Sequence, residues 1–384
     1  MQDHPVKFYS QPIFLTLLVL FITYTILGFW GYGNDYDTYA MIKSGRDTFL
    51  NGHYHYSRGP GNFIPEMVIG GASLLGGFIV TNIISALLGT ATLYLLWKRI
   101  KTVLSPTNSI LVILIIGLNP WYVIASSSSM DYVYSLFFAM AGIGMMEKRN
   151  IFPAACLFAF AVSSRLTVLM IIGIIYLYYF YIRFKENEIK EMGRLFLSGC
   201  LLMVLSVLFF VPSYVAADYT FKFMEYGIGN WDLIGILSRI IYKHIYLIGL
   251  LPLLFLAVMT IIHVFKSGIK FKSNALLNTG IIIIVLTELL FIKIPVEISY
   301  LLPQYLIAVP LIVFLVKPRK MTLYLLLAFT ISFGFIVNPD VLDRKYNAER
   351  TEAISAEVGF FIRPGLVIDD IMKREESKDF YWQK

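Results

Sequence analysis

The residues of this chain best suited to chemistry crowd into one short stretch. Gly33-Asn34-Asp35-Tyr36-Asp37-Thr38-Tyr39 is followed by Lys43 and Arg46, then by His53-Tyr54-His55-Tyr56-Ser57-Arg58-Gly59-Pro60-Gly61. Two carboxylates beside the end of an apolar segment sit where desolvation and a neighbouring like charge make one of them a better base toward a hydroxyl nucleophile. Asp35 is the first candidate for that catalytic role and Asp37 the second. The plainer reading gives both to loop solvation and to capping a helix after Thr38, and spacing alone does not separate the two.

Arg58 is a cation on a rigid Ser-Arg-Gly-Pro-Gly turn. A guanidinium grips two phosphate oxygens at once while adjacent glycines let backbone amides approach, and the competing role is a headgroup-level anchor. His53 and His55 share a face if the loop is extended, and with a carboxylate they form a candidate site for a divalent cation; a helical loop would separate them. Tyr36, Tyr39, Tyr54 and Tyr56 are candidates to line a sugar site, although aromatic residues more often serve packing and interface belts.

Farther along, Asp131 and Arg165 are ionisable groups in otherwise apolar surroundings, a functional candidate pair or a mutual structural ion pair. Glu288 and Glu297 bracket Lys293 at helical spacing, so pairing with one of them is the expected fate of that lysine.

The elements that must position these residues are set by composition. Of 384 residues, 58% are hydrophobic and 15% charged, and the mean hydropathy is +0.71. Such a chain has lipid as its natural solvent, which excludes a soluble enzyme. Apolar spans are expected at 12–31, 66–96, 107–125, 130–146, 151–162, 166–182, 194–213, 244–265, 275–292, 299–316 and 321–338, giving an all-α polytopic membrane protein of about eleven transmembrane helices. Ser163-Ser164-Arg165 divides what would otherwise be one over-long span.

Lysine and arginine cluster in alternate connections, including Lys98, Arg99, Lys101, Lys148, Arg149, Lys317, Arg319 and Lys320. These are expected to be cytoplasmic, with the amino terminus inside, and the net charge of +7 reflects this topology rather than a nucleic-acid partner. The two long connections, 32–65 and 214–243, then lie outside. Residues 1–338 form the expected transmembrane domain and 339–384 a short external tail. Cys156 and Cys200 fall within apolar runs, away from any exposed thiolate metal site, and no glycine-rich nucleotide loop, nucleophile elbow or zinc-protease helix motif occurs.

Asp35-Tyr36-Asp37-Thr38-Tyr39 with the amphipathic stretch to Gly52, Tyr56-Ser57-Arg58-Gly59-Pro60-Gly61 leading to Pro65-Glu66, and Glu297-Ile298-Ser299-Tyr300-Leu301-Leu302-Pro303 occur in an order that resembles the GT-C glycosyltransferases. Within that superfamily the likeness is to the protein mannosyltransferase and aminoarabinose transferase type. The resemblance implies a membrane enzyme taking a sugar from a polyprenyl-phosphate donor, with inversion, to a lipid, glycan or protein acceptor on the external face. It implies Asp35 or Asp37 as the acceptor-activating acid, Arg58 and Arg165 at the donor phosphate, and Tyr39, Tyr56, His53, His55, Asp131, Glu66, Glu297 and Tyr300 at the substrates. Relatives often carry arginine before the tyrosine of the Tyr-Leu-Leu-Pro stretch, where this chain has Ser299. The competing functions are a polysaccharide polymerase or ligase and a lipid-glycan flippase or transporter.

Overall fold

Pro12 opens the first apolar run and Gly28 closes it, and between them lies helix α1 (Pro12–Gly28). The computed structural model describes residues 12–221, 233–267, 275–293, 298–332, 335–337, 360–362 and 365–379. Within the long connection at 32–65, helix α2 (Tyr36–Asn51) forms, capped at its start by the Asp35 side chain and at its end by Gly52, whose left-handed φ of 69° turns its N–H back onto the Thr48 carbonyl. The cap therefore falls three residues earlier than the helix start expected after Thr38, and it is Asp35 that makes it.

Helix α3 (Phe63–Ile100) follows, broken at Gly76 and at Gly77, where φ is 59°. Its first part packs on α2 backbone to backbone: a Cβ on Gly45 would meet the Glu66 carbonyl oxygen at 2.0 Å, and one on Gly70 would meet the Gly45 Cα at 2.3 Å. Only paired glycines allow two helices to approach so closely.

The chain continues through α4 (Pro106–Gly117), α5 (Pro120–Ser127), α6 (Tyr132–Glu147), α7 (Ile151–Ser164), α8 (Val168–Lys185) and α9 (Ile189–Ala216). The expected interruption at Arg165 is present: α7 ends at Ser164 and Arg165 is extended, with φ −153° and ψ 112°. Then come α10 (Leu233–Ile248), α11 (Leu250–Ser267), α12 (Ala275–Lys293), a 3-10 turn at Ile298–Leu301, α13 (Leu302–Val316) and α14 (Lys320–Ile331). Strands β1 (Phe335–Val337) and β2 (Phe360–Ile362) pair antiparallel, and α15 (Leu366–Arg374) follows. Apart from these two short strands the described chain is helical.

Among the described residues four stretches are long and apolar enough to cross a membrane: α3, α8, α9 and Ile298–Val316; α4 and α5, bent by 69°, make a fifth if taken together. This is consistent with a membrane protein. Several expected spans differ in detail. Residues 107–125 are the bent α4–α5 pair, since Asn119-Pro120 interrupts the run. Residues 244–265 straddle a break at Gly249, with φ 91°. Residues 321–338 hold only the 12-residue α14 before strand β1, short of the ~20 residues that a span needs.

The chain divides into two compact units, the first comprising residues 1–117, 122–226 and 370–384, and the second 118–121 and 227–369. Residues 370–384 at the end of the expected tail belong with the first unit.

Candidate functional site: a buried carboxylate holding two arginines

In the first unit the loops flanking α2 meet the Ser126–Asp131 run and the end of α7. Asp131 stands at the start of α6 but makes no capping bond there. Its side chain is fully buried and takes both arginines: Arg58 Nη2 donates at 2.6 Å and Arg165 Nη1 at 3.3 Å. The other arm of Arg58 pairs with Asp37. The Arg165 guanidinium lies 4.5 Å from the Tyr132 ring centroid, a cation–π contact. The Tyr132 hydroxyl in turn donates to Asp35 Oδ2 at 3.4 Å. Two carboxylates, Asp37 and Asp131, thus hold two guanidiniums at one end of the apolar helices, and Asp35 is joined to Arg165 through Tyr132.

A separate carboxylate presents Arg58. Glu66, wholly buried in the first turn of α3, accepts from Tyr54 Oη at 2.6 Å and, on its other oxygen, from Ser57 N at 2.9 Å, Ser57 Oγ at 2.5 Å and Asn62 N at 3.3 Å. Burial, and then the Glu66 charge, push the Tyr54 phenol far above its usual range, so it remains a donor. Asn62, with its amide turned to suit its neighbours, accepts from Arg58 Nε at 3.0 Å and donates to the Ser164 carbonyl at 2.9 Å. Helix α9 backs the loop: a Cβ on Gly61 would meet Ser213 Oγ at 2.0 Å. Arg58 is therefore fixed before any ligand arrives.

Asp35, Asp37, Arg58, Asp131 and Arg165 lie together, and Asp131 and Arg165 form the ion pair that was one of the two readings of those residues. Glu66, expected at the substrate, instead commits both oxygens to the loop that carries Arg58. Tyr39 lies on α2 one turn beyond Asp35 and, like Tyr56, is partly exposed, while His53 and His55 are exposed. Among the described residues no three His, Cys, Asp or Glu side chains are placed to hold a metal ion. Tyr300 sits in the 3-10 turn of the second unit, and Glu297 lies outside the described residues, as does the Lys293 side chain. Glu288, expected as a candidate partner of that lysine, accepts from Gln304 and bonds His244 Nε2 at 2.7 Å.

Three contributors escaped the sequence reading. The serines of 126–129 look like filler between spans, yet Ser129 Oγ reaches Thr81 at 2.6 Å and Asn82 at 2.7 Å, and Ser129 N donates to the Tyr32 carbonyl at 2.7 Å. Asn82, an amide inside an apolar run, donates to the carbonyls of Gly28 at 2.8 Å and Gly31 at 2.7 Å. Its isolation was the available signal. Arg374, near the end of the chain, is buried in the same region. No protein-family model, curated protein or solved structure matches this chain.

Proposed function

We propose that the chain is a GT-C-like membrane glycosyltransferase of about eleven spans, with its amino terminus cytoplasmic and the α2 region on the external face. It moves a sugar from a polyprenyl phosphate to a lipid, glycan or protein acceptor. The observation that carries this reading is the Asp37–Arg58–Asp131–Arg165 cluster, built at one end of the apolar helices within reach of the Asp35 turn.

In this reaction the acceptor oxygen bonds to the anomeric carbon as the bond from that carbon to the phosphate oxygen breaks. The electron pair leaves with the polyprenyl phosphate and the hydroxyl proton passes to a carboxylate. Asp35 suits the base role better than Asp37, because Asp37 is paired to Arg58 while Asp35 is exposed beside the cluster. Arg58 and Arg165, held side by side by Asp131, meet the phosphate and stabilise its developing charge without reorganising.

Reconstituted protein supplied with a panel of radiolabelled polyprenyl-phosphate sugars and membrane extract tests the proposal. Wild type should transfer label, and Asp35→Asn should lower the rate by about 10²–10⁴-fold, the usual worth of a positioned base. Transfer that is equal in wild type and variant removes Asp35 from the chemistry, and no transfer from any donor removes the enzyme. A polymerase or ligase would instead consume only oligosaccharide-linked donors. The 69° break between α4 and α5 favours the flippase as the second reading, since discontinuous helices are common at transport sites. Movement of labelled lipid across vesicles without bond cleavage would establish it.

A further inference from the structure

We propose that the C-terminal segment is a clasp that positions the Asp35 turn, with Arg374 as its positioning residue; the catalytic meaning of that turn rests on the function proposed above. Arg374 is fully buried and ranks among the largest side chains to be so. A guanidinium is costly to bury and is kept inside a protein only where its donors are satisfied. Here Nε pairs with Asp370, Nη1 donates to the Ser127 carbonyl at 2.7 Å and the Leu27 carbonyl at 3.5 Å, and Nη2 donates to Ser127 Oγ at 3.1 Å. Two of these acceptors, Leu27 and Ser127, belong to elements that frame the site: the end of α1 and the serine run that leads to Asp131.

The backbone around Arg374 completes the hold. Ser377 Oγ donates to the Arg374 carbonyl at 2.6 Å and accepts from Gly33 N at 3.4 Å. Gly31, at φ 142°, has no room for a side chain, since a Cβ there would meet the Arg374 carbonyl oxygen at 2.3 Å and Ser377 Oγ at 2.6 Å. Lys378 Nζ stands 5.7 Å from the Trp30 ring centroid. On the other side, Asn82 and Ser129 bond the carbonyls of Gly31 and Tyr32. The turn from Trp30 to Gly33 is thus gripped from two sides, and Asp35 lies two residues beyond it. A tail serving only as a surface cap would have no reason to sink its arginine into the serine run.

The test uses detergent-purified full-length chain in a Cys156→Ala, Cys200→Ala background, with Ser128→Cys, buried against Gly33, as reporter and Ser109→Cys, buried on α4, as a remote control. In Arg374→Ala, maleimide labelling at position 128 should accelerate by about tenfold, as local opening predicts, while labelling at position 109 stays within about twofold. Arg374→Lys, which retains a donor for the Ser127 carbonyl, should restore most of the protection. Ser377→Ala, a milder change, should move position 128 in the same direction by less, and keeps the test alive if Arg374→Ala does not fold. Unchanged labelling at position 128 in both folded variants, or equal acceleration at both positions, overturns the clasp. In the transfer assay Arg374→Ala should lower kcat and leave the donor KM unchanged, and Arg374→Lys should recover most of that loss. If wild type transfers nothing, the functional reading falls while the labelling result stands.

Discussion

The two units of the chain each contain a cluster of ionisable groups among apolar helices, and the clusters are built differently. In the first unit, Asp131 and Glu66 are sealed from solvent, and their partners arrive from loops and helix ends. In the second, Glu288 on α12 bonds His244 on α10 and accepts from Gln304 on α13, and the His244 and Glu288 side chains retain 20% and 27% of their exposure. His244 Nδ1 is satisfied within its own helix by the Ile240 carbonyl at 2.7 Å. A charge that ties helix ends together fixes the relative placement of many segments, whereas one that bridges mid-helix faces fixes only three. The first arrangement is what a catalytic constellation needs, because precision comes from over-determination.

That contrast predicts a gradient of stability losses. Asp131→Asn leaves two guanidiniums without their shared anion and should cost about 3 kcal/mol, read as a fall in thermal unfolding temperature in detergent. Glu66→Gln keeps the shape but weakens bonds to two hydroxyls and two amides; a loss of about 2 kcal/mol is expected, with new proteolytic cutting within residues 52–62. Glu288→Gln, partly exposed and tied to fewer groups, should cost about 1 kcal/mol by the same unfolding measurement. If Glu288→Gln costs as much as Asp131→Asn, the distinction between the clusters disappears. Tyr132→Phe removes a hydroxyl whose bond to Asp35 is long, and its stability effect should stay within about 0.5 kcal/mol.

The elements legible from sequence were those written in composition or in a break of composition. The apolar runs gave the helices, and Ser163-Ser164-Arg165 gave the end of α7. The Asp35, Asp37, Arg58, Asp131 and Arg165 set was visible because each is a charge out of place in its surroundings. What stayed hidden depended on distance along the chain. Nothing local marks Ser126–Ser129 as a hub or Arg374 as buried, since their roles come from partners up to 347 positions away. The amphipathic stretch before Gly52 was visible, but the Gly45–Gly70 contact that seats α2 on α3 is a property of two separated glycines. The bonds of Glu66 to Tyr54, Ser57 and Asn62 were hidden too, because a sequence shows a carboxylate's charge and not what occupies its lone pairs.

The glycine contact has a mechanical consequence. Helix α2 and the first part of α3 touch through backbone at Gly45 and Gly70, and the Glu66-bonded loop closes the connection between them. The next break in helical geometry comes at Gly76 and Gly77. Residues 36–75 are therefore built as a single cartridge, and any bending of this part of the chain would fall at its outer edge and leave the spacing within it intact.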